Sequence, residues 1–291
     1  MQKADILNIP VPRVIAARLR GPEAVAWDSC GYLYTGCQNG WLHRVAIESG
    51  EVEVVAELGG RLLGLIVDSL GAVLVCNQDQ ACVQLVDPVD GSVAIVTTGT
   101  LELPMTTPNS IAASPDGTLY VSDSGIWGKR DGRLYAWHPE RDTRLLNTSS
   151  CLYPNGVAIG QNGTELYLVE SELPGIVRYE LDCLSNGTDT REVFWKFDAN
   201  TIPDGVTVCA DGSLIVTFYE PNVVVHLADG RARDLAIDPT GKFLAHPTNA
   251  AFFGENLARL CIANLGGGLL VELPTELRGA PIRSPASLGN K

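Results

Sequence analysis

The 291-residue sequence holds eight cysteines but no Cys-x-x-Cys pair and no zinc-type Cys/His spacing. That removes the motif basis for a zinc ribbon or a thioredoxin-type redox centre. Positive charge is scarce: 21 Lys and Arg stand against 34 Asp and Glu, a net charge of −13. Non-specific nucleic-acid binding needs cations that displace counterions, and an anionic membrane surface asks for the same. No nucleic-acid or membrane partner is therefore expected. There are only four histidines, and no Gly-x-Ser-x-Gly elbow accompanies them, so a serine-hydrolase mechanism has no support. No run is long and apolar enough to span a bilayer, and Met1 to Pro12 lack the hydrophobic centre of a secretory signal. These absences predict a cytoplasmic protein whose cysteines are mostly reduced thiols. Cys30 with Cys37, or Cys76 with Cys82, are the hairpin pairings to set against that reading. The glycine runs at 59–60 and 266–268 do not join a strand to a helix, so they are not phosphate cradles.

Turn residues are plentiful, with 30 Gly and 17 Pro, and short bursts of Val, Ile, Leu, Thr and Tyr lie between them. That pattern predicts many short strands. An Asp or Asn followed closely by Gly recurs at Gly31, Gly71, Gly117, Gly163 and Gly212, with a weaker copy at Gly254, at intervals of 40, 46, 46, 49 and 42 residues. Each interval fits four short strands and their turns. The first unit shows them: Ala24 to Trp27, Tyr32 to Thr35, Trp41 to Ile47 and Glu51 to Leu58, with Asn39-Gly40 as a hairpin dipeptide. The expected fold is all-β: one six-bladed β-propeller domain over residues 1–291, its blades starting near 22, 63, 108, 154, 203 and 247. The last unit has only three strands, and a spare strand lies at Arg13 to Ala17. The N-terminal strand is expected to close the last blade, leaving no open edge in the ring.

Four units begin alike, with Pro22-Glu23, Pro108-Asn109, Pro154-Asn155 and Pro203-Asp204, and in each the polar residue precedes the turn glycine by eight positions. Singly, Pro-Asn-Gly and Pro-Asp-Gly read as turn tripeptides. Four at one register, one of them a Glu, read as one station occupied four times. In a propeller the first strand of each blade lines the central channel, so Glu23, Asn109, Asn155 and Asp204 would ring one mouth. Two carboxylates and two carboxamides are hard oxygen donors, suited to Ca2+ at six to eight coordination. Zn2+ prefers His or Cys, although Mg2+, Mn2+ or Zn2+ remain alternatives for the same site. A cation with open positions would polarise a carbonyl or phosphoryl oxygen. The loops joining second and third strands open on the same face and contain Trp127, Glu170 and Tyr219. Trp127 would roof a small-molecule pocket there.

Gly21 to Asp28, Pro108-Asn109-Ser110, Tyr153 to Gly156, Pro203-Asp204-Gly205 and Pro247-Thr248-Asn249, in this order and at blade spacing, resemble the senescence marker protein / gluconolactonase / luciferin-regenerating enzyme family. The resemblance covers roughly residues 20–273. The first half is also similar to strictosidine-synthase-like propellers, and the paraoxonase and organophosphatase propellers share the general plan. The resemblance implies a divalent-metal lactonase. It makes Glu23, Asn155 and Asp204 metal ligands, Asn109 a fourth ligand or a substrate contact, and Asp204 the general base or nucleophile. Asp123 matches an acidic residue that follows the second strand in bacterial members. Where sugar-lactonase members often carry an Arg before the Asn, Thr106, Thr107 and Pro108 stand. With Trp127, Leu173 and Tyr219 on the rim, this favours a less polar lactone or ester. The expected function is Ca2+-dependent opening of a small-molecule lactone or ester, with Asp123, Trp127, Glu170 and Tyr219 as substrate contacts. A phosphotriesterase-like or strictosidine-synthase-like enzyme, or a non-catalytic ligand-binding propeller, are the alternatives.

Overall fold

In a computed structural model describing residues 11–146 and 151–285, the strands form six separate four-stranded antiparallel sheets. Among the described residues, helix is confined to Leu181–Ser185 and one 3-10 turn, Glu255–Leu257. The innermost strands are Ala26–Trp27, Leu62–Val67, Pro108–Ala113, Pro154–Ile159, Ile202–Val208 and Pro247–Phe253. Each touches the next in cyclic order, and the last touches the first. The fold is a six-bladed β-propeller. Its final blade is completed from the other end of the chain: Arg13–Ala16 pairs antiparallel with Leu269–Leu273, Val14 opposite Val271. No helix among the described residues is long and apolar enough to cross a membrane.

The core is six layers between blades. Between blades one and two, Tyr34 and Leu42 pack on Leu65 and Val75. Between blades three and four, Tyr120 and Leu134 pack on Leu168 and Tyr179. Between blades six and one, Phe253 and Leu270 meet Trp27 and Leu33. A middle strand is thus covered on both faces, which is why Val73–Asn77 is buried throughout and reads as a continuous run. Only the outermost strands, such as Val52–Glu57 and Val93–Thr97, expose several consecutive residues. None of the eight cysteines is in a disulfide, and six of them are buried small hydrophobes. Burial pushes the Cys209 thiol up to about 11 and that of Cys37 to about 12, so neither is a nucleophile near neutrality.

After the last strand the chain crosses the far end of the channel. Arg278 O accepts from Ala210 N at 2.8 Å, Ala280 N donates to Val208 O at 3.0 Å, and Pro285 O accepts from Ser69 N at 3.2 Å. This strap covers a cavity of about 210 Å³ lined by Val25, Ile111, Val157, Val206, Phe252 and Ile282. None of the four polar stations lines it. The candidate site is at the opposite mouth.

Candidate metal centre

Three of the four polar stations sit at the start of innermost strands and not in turns, and Glu23 lies three residues before Ala26–Trp27. Asn109, Asn155 and Asp204 are the second or third residues of Pro108–Ala113, Pro154–Ile159 and Ile202–Val208, and all three are buried. The glycine that follows has a packing reason. A Cβ at Gly156 would stand 2.6 Å from Asp204 O, and one at Gly205 would stand 2.5 Å from Thr248 O. Each glycine lets the next blade's station approach the axis.

Hydroxyls from one blade hold the backbone of the next. Ser124 Oγ donates to Pro154 O at 2.8 Å, Ser122 Oγ to Asn155 O at 2.7 Å, Ser171 Oγ to Pro203 O at 2.7 Å and Thr217 Oγ1 to Thr248 O at 2.9 Å. Thr248 Oγ1 then donates to Glu23 O at 2.6 Å, tying blade six to blade one. The same serines orient the amides. Asn109 Nδ2 donates to Ser124 Oγ at 2.9 Å and Asn155 Nδ2 to Ser171 Oγ at 3.3 Å. Each serine proton is committed to a carbonyl, so the serine can only accept from the Asn. The nitrogen of each amide is thereby fixed, and each Oδ1 is turned away from its serine.

Two carboxylates complete the ring. Burial pushes Glu23 up to about 7, with the Arg61 charge pulling the other way. Burial, and then the charge on Glu23, hold Asp204 well above the ordinary carboxylate range, opposed by the Asn155 amide against it. The charge on Glu23 thus acts on Asp204, and a cation between the two would relieve it. No cluster of three His, Cys, Asp or Glu occurs among the described residues. Two carboxylates with two serine-locked amides fit a hard cation such as Ca2+, and they lack the imidazole and thiolate donors of zinc sites.

Around this ring, Trp127 is 52% exposed and packs edge-on against Tyr153 at 4.9 Å between ring centroids. Tyr219 stacks on His246 at 4.3 Å. Burial raises both phenols, and the charges of Glu23 and Asp204 raise them further, so both remain protonated near neutrality. His246 Nδ1 lies 2.9 Å from Tyr219 O. A carbonyl only accepts, so Nδ1 carries a proton. His226 does lie beside a hydroxyl, Ser213 Oγ, at 2.8 Å, but that hydroxyl donates to Asp211 at 2.5 Å and is no activated nucleophile.

Two expected substrate contacts, Asp123 and Glu170, have partners within the frame. The Asp123 carboxylate accepts from Thr107 N at 2.5 Å and Thr106 N at 3.0 Å, with both threonine hydroxyls added, and is buried. It holds the loop entering blade three. The Glu170 carboxylate is fully buried and takes Arg191 Nε at 3.2 Å and Nη2 at 2.8 Å. Both acids stand opposite the station proline, Pro108↔Asp123 and Pro154↔Glu170, and serve the frame. Sequence reasoning missed the serines that follow them. The signal was present in Leu119-Tyr-Val-Ser-Asp-Ser124 and Leu166-Tyr-Leu-Val-Glu-Ser171, two copies of one phrase. It also missed Arg61 and Tyr153.

A six-bladed propeller with a ring of oxygen donors at one channel mouth defines the class. The chain belongs to the family described as SMP-30/Gluconolactonase/LRE-like region, which matches residues 22–265. Among solved structures, a gluconolactonase of Xanthomonas campestris superposes with a TM-score of 0.76 at 19% identity, covering 90% of this chain and 88% of that one. A calcium-binding protein, regucalcin, of Agrobacterium tumefaciens gives 0.78 at 22%, covering 95% and 98%. These are likenesses of fold. Strictosidine synthase-like 6 of Arabidopsis thaliana is 24% identical over 182 residues, 56% of this chain and 48% of its own. The chain thus spans about half the length of the first curated relatives it matches.

Proposed function

We propose that this chain is a Ca2+-dependent hydrolase that opens a lactone or related ester at the station mouth. The observation that carries the reading is the Glu23–Asp204 pair, set beside serine-locked Asn109 and Asn155. Family membership supports it, as do the gluconolactonase and calcium-binding descriptions of the two neighbours in fold. Glu23, Asn155 and Asp204 would hold the cation, with Asn109 as fourth ligand or substrate contact. Bound there, Ca2+ supplies Lewis-acid polarisation of the scissile carbonyl and charge stabilisation as oxygen becomes anionic.

The protein's own groups do the rest. Asp204 takes the proton from the attacking water or attacks the carbonyl itself. Tyr153 and Tyr219, kept protonated, offer hydroxyl donors to the ester oxygens. Trp127 and Tyr219 bound the apolar part of the substrate and limit water. Mg2+, Mn2+ or Zn2+ would enter the same ring with different coordination demands.

The test is hydrolysis of a lactone panel after chelation and again after calcium is returned. Activity that disappears and returns supports the reading, while activity indifferent to chelation removes it. A second reading, a strictosidine-synthase-like or phosphotriesterase-like enzyme on the same centre, is favoured by the strictosidine synthase-like relatives. Turnover of an amine–aldehyde pair or a phosphotriester, with every lactone inert, would select it.

A further inference from the structure

At blade two the ring of polar stations is interrupted. Leu63 stands eight residues before Gly71, where the other stations are Glu23, Asn109, Asn155 and Asp204, and Leu63 is buried. Polarity enters this sector from the rim instead, two residues earlier, at Arg61. Its backbone is pinned at the entrance to Leu62–Val67: Arg61 O accepts from Gln78 N at 2.8 Å, and Arg61 N donates to Asp79 Oδ2 at 3.0 Å. The guanidinium is pinned as well, with Nε and Nη2 at 3.0 and 2.7 Å from Asp79 Oδ1. Asp79 therefore occupies one edge of the fork. The other edge, Nη1 with the second hydrogen of Nη2, meets no acceptor among the described residues, and the side chain stays 48% exposed. Arg61 lies within electrostatic reach of both Glu23 and Tyr153, which sets the group beside the station ring.

An exposed ion pair adds little to stability. Three donors aimed into one carboxylate are better explained as aiming the cation than as holding the rim. We propose that Arg61 is a specificity-determining residue whose free guanidinium edge receives an anionic oxygen group, carboxylate or phosphate, on a part of the substrate remote from the reacting ester. The proposal rests on the hydrolase reading above and names the substrate class it serves. A chain with net charge −13 repels an anionic substrate at long range, so productive binding needs a local cation at a fixed place. Lys129 and Arg130 are exposed on the third-blade loop, whereas Arg61 is oriented in advance and offers the planar fork that carboxylate and phosphate match. Leu63 beneath it supplies no metal ligand, so a group held there is separated from the metal ring. Trp127 on Tyr153, and Tyr219 on His246, supply aromatic faces for an apolar body.

The experiment compares the calcium-loaded wild type, Arg61→Gln and Arg61→Lys on three esters of one skeleton: neutral, carboxylate-bearing and phosphate-bearing. Wild type is expected to prefer an anionic ester. Arg61→Gln should lower the anionic-to-neutral ratio of kcat/KM by about 10- to 100-fold, through KM, as for a lost charged hydrogen bond. Arg61→Lys should restore part of it, since the charge returns without the fork. The ester with the larger loss identifies the anion. Calorimetric titration of the matching dicarboxylate and its mono-amide gives a readout that needs no turnover. Weaker dicarboxylate binding in Arg61→Gln, with the mono-amide unaffected, supports the proposal even if every ester is inert and the hydrolase reading fails. Equal losses for neutral and anionic ligands, or a wild type with no anionic preference, overturn it.

Discussion

Asn109 and Ser124 form a hydrogen bond of 2.9 Å whose direction is decided one blade away, because the serine proton is already given to Pro154 O at 2.8 Å. The ligand geometry of one blade is thus set by the backbone of the next. Ser171 repeats the device between Asn155 and Pro203 O. Ser124→Ala and Ser171→Ala should each weaken calcium binding by about 10- to 100-fold, the usual effect of losing a group that orients a ligand. Calorimetric titration checks this, and circular dichroism should show the propeller retained. Unchanged affinity in both variants would mean that the serines serve only the frame.

Asp204 is the acid most strongly perturbed by its neighbours, through burial and then Glu23. Asp204→Asn keeps the shape and removes both the base and one of two buried charges. Turnover should fall by about 10²- to 10⁴-fold. The metal-free variant should melt no lower than metal-free wild type at about pH 8, because the mutual repulsion is gone. A variant with near-normal turnover would end the assignment of Asp204 as base or nucleophile.

The pair also predicts how calcium stabilises the fold. Glu23 is raised from 4.5 to about 7, and Asp204 is raised as well. In the metal-free protein the folded state holds protons that the unfolded chain has released. The contribution of Glu23 is therefore fully present below about 4.5 and is lost as pH rises through about 7, and Asp204, raised from 3.8, acts in the same direction. His43 and His226 act oppositely: burial lowers both, and their contribution is present above 6.5 and lost as pH falls. The histidines are common to the metal-free and calcium-loaded forms, so the difference between the two isolates the carboxylates. The rise in Tm on adding calcium should be larger at about pH 8 than at about pH 5.5. Equal increments at both would detach calcium from this pair.

The fold was legible because a propeller repeats itself. Five of the six innermost strands end at a turn in which Asp or Asn closely precedes Gly, and the interval between turns allows four strands and little else. The stations were legible for the same reason: four residues at one offset are visible where one is not. The partners of Asp123 and Glu170 were not legible, because an acid near a mouth reads alike whether its carboxylate is free or filled. Only coordinates show Thr106 and Thr107 on the one and Arg191 on the other. Arg61 and the clamping serines were hidden because their partners, Asp79, Pro154 and Pro203, are set by strand pairing or by the neighbouring blade. The C-terminal strap was invisible because, apart from Arg283 Nη2 donating to Gly160 O at 3.2 Å, it is tied by backbone-to-backbone bonds, and those leave no mark on residue type.

Ring closure carries the last prediction. Arg13–Ala16 is the outermost strand of blade six, and it is drawn from the far end of the chain. Ile15 and Ala16 are buried in the layer that joins blades six and one, and Arg13 Nε lies 2.8 Å from Glu272 on the neighbouring strand. Deleting residues 1–18 would uncover the edge of Leu269–Leu273 and open that layer. Burying one aliphatic side chain is worth about 1.5–3 kcal/mol, and the strand's ladder hydrogen bonds add to it. Against the marginal stability of any fold, such a loss should lower Tm by many degrees and leave an unpaired edge prone to association. Calorimetry with light scattering reads both. A truncated chain that melts like the parent and stays monodisperse would show that the ring holds without its clasp, leaving the inter-blade hydroxyl ties at the mouth and the strap at the far end to close it.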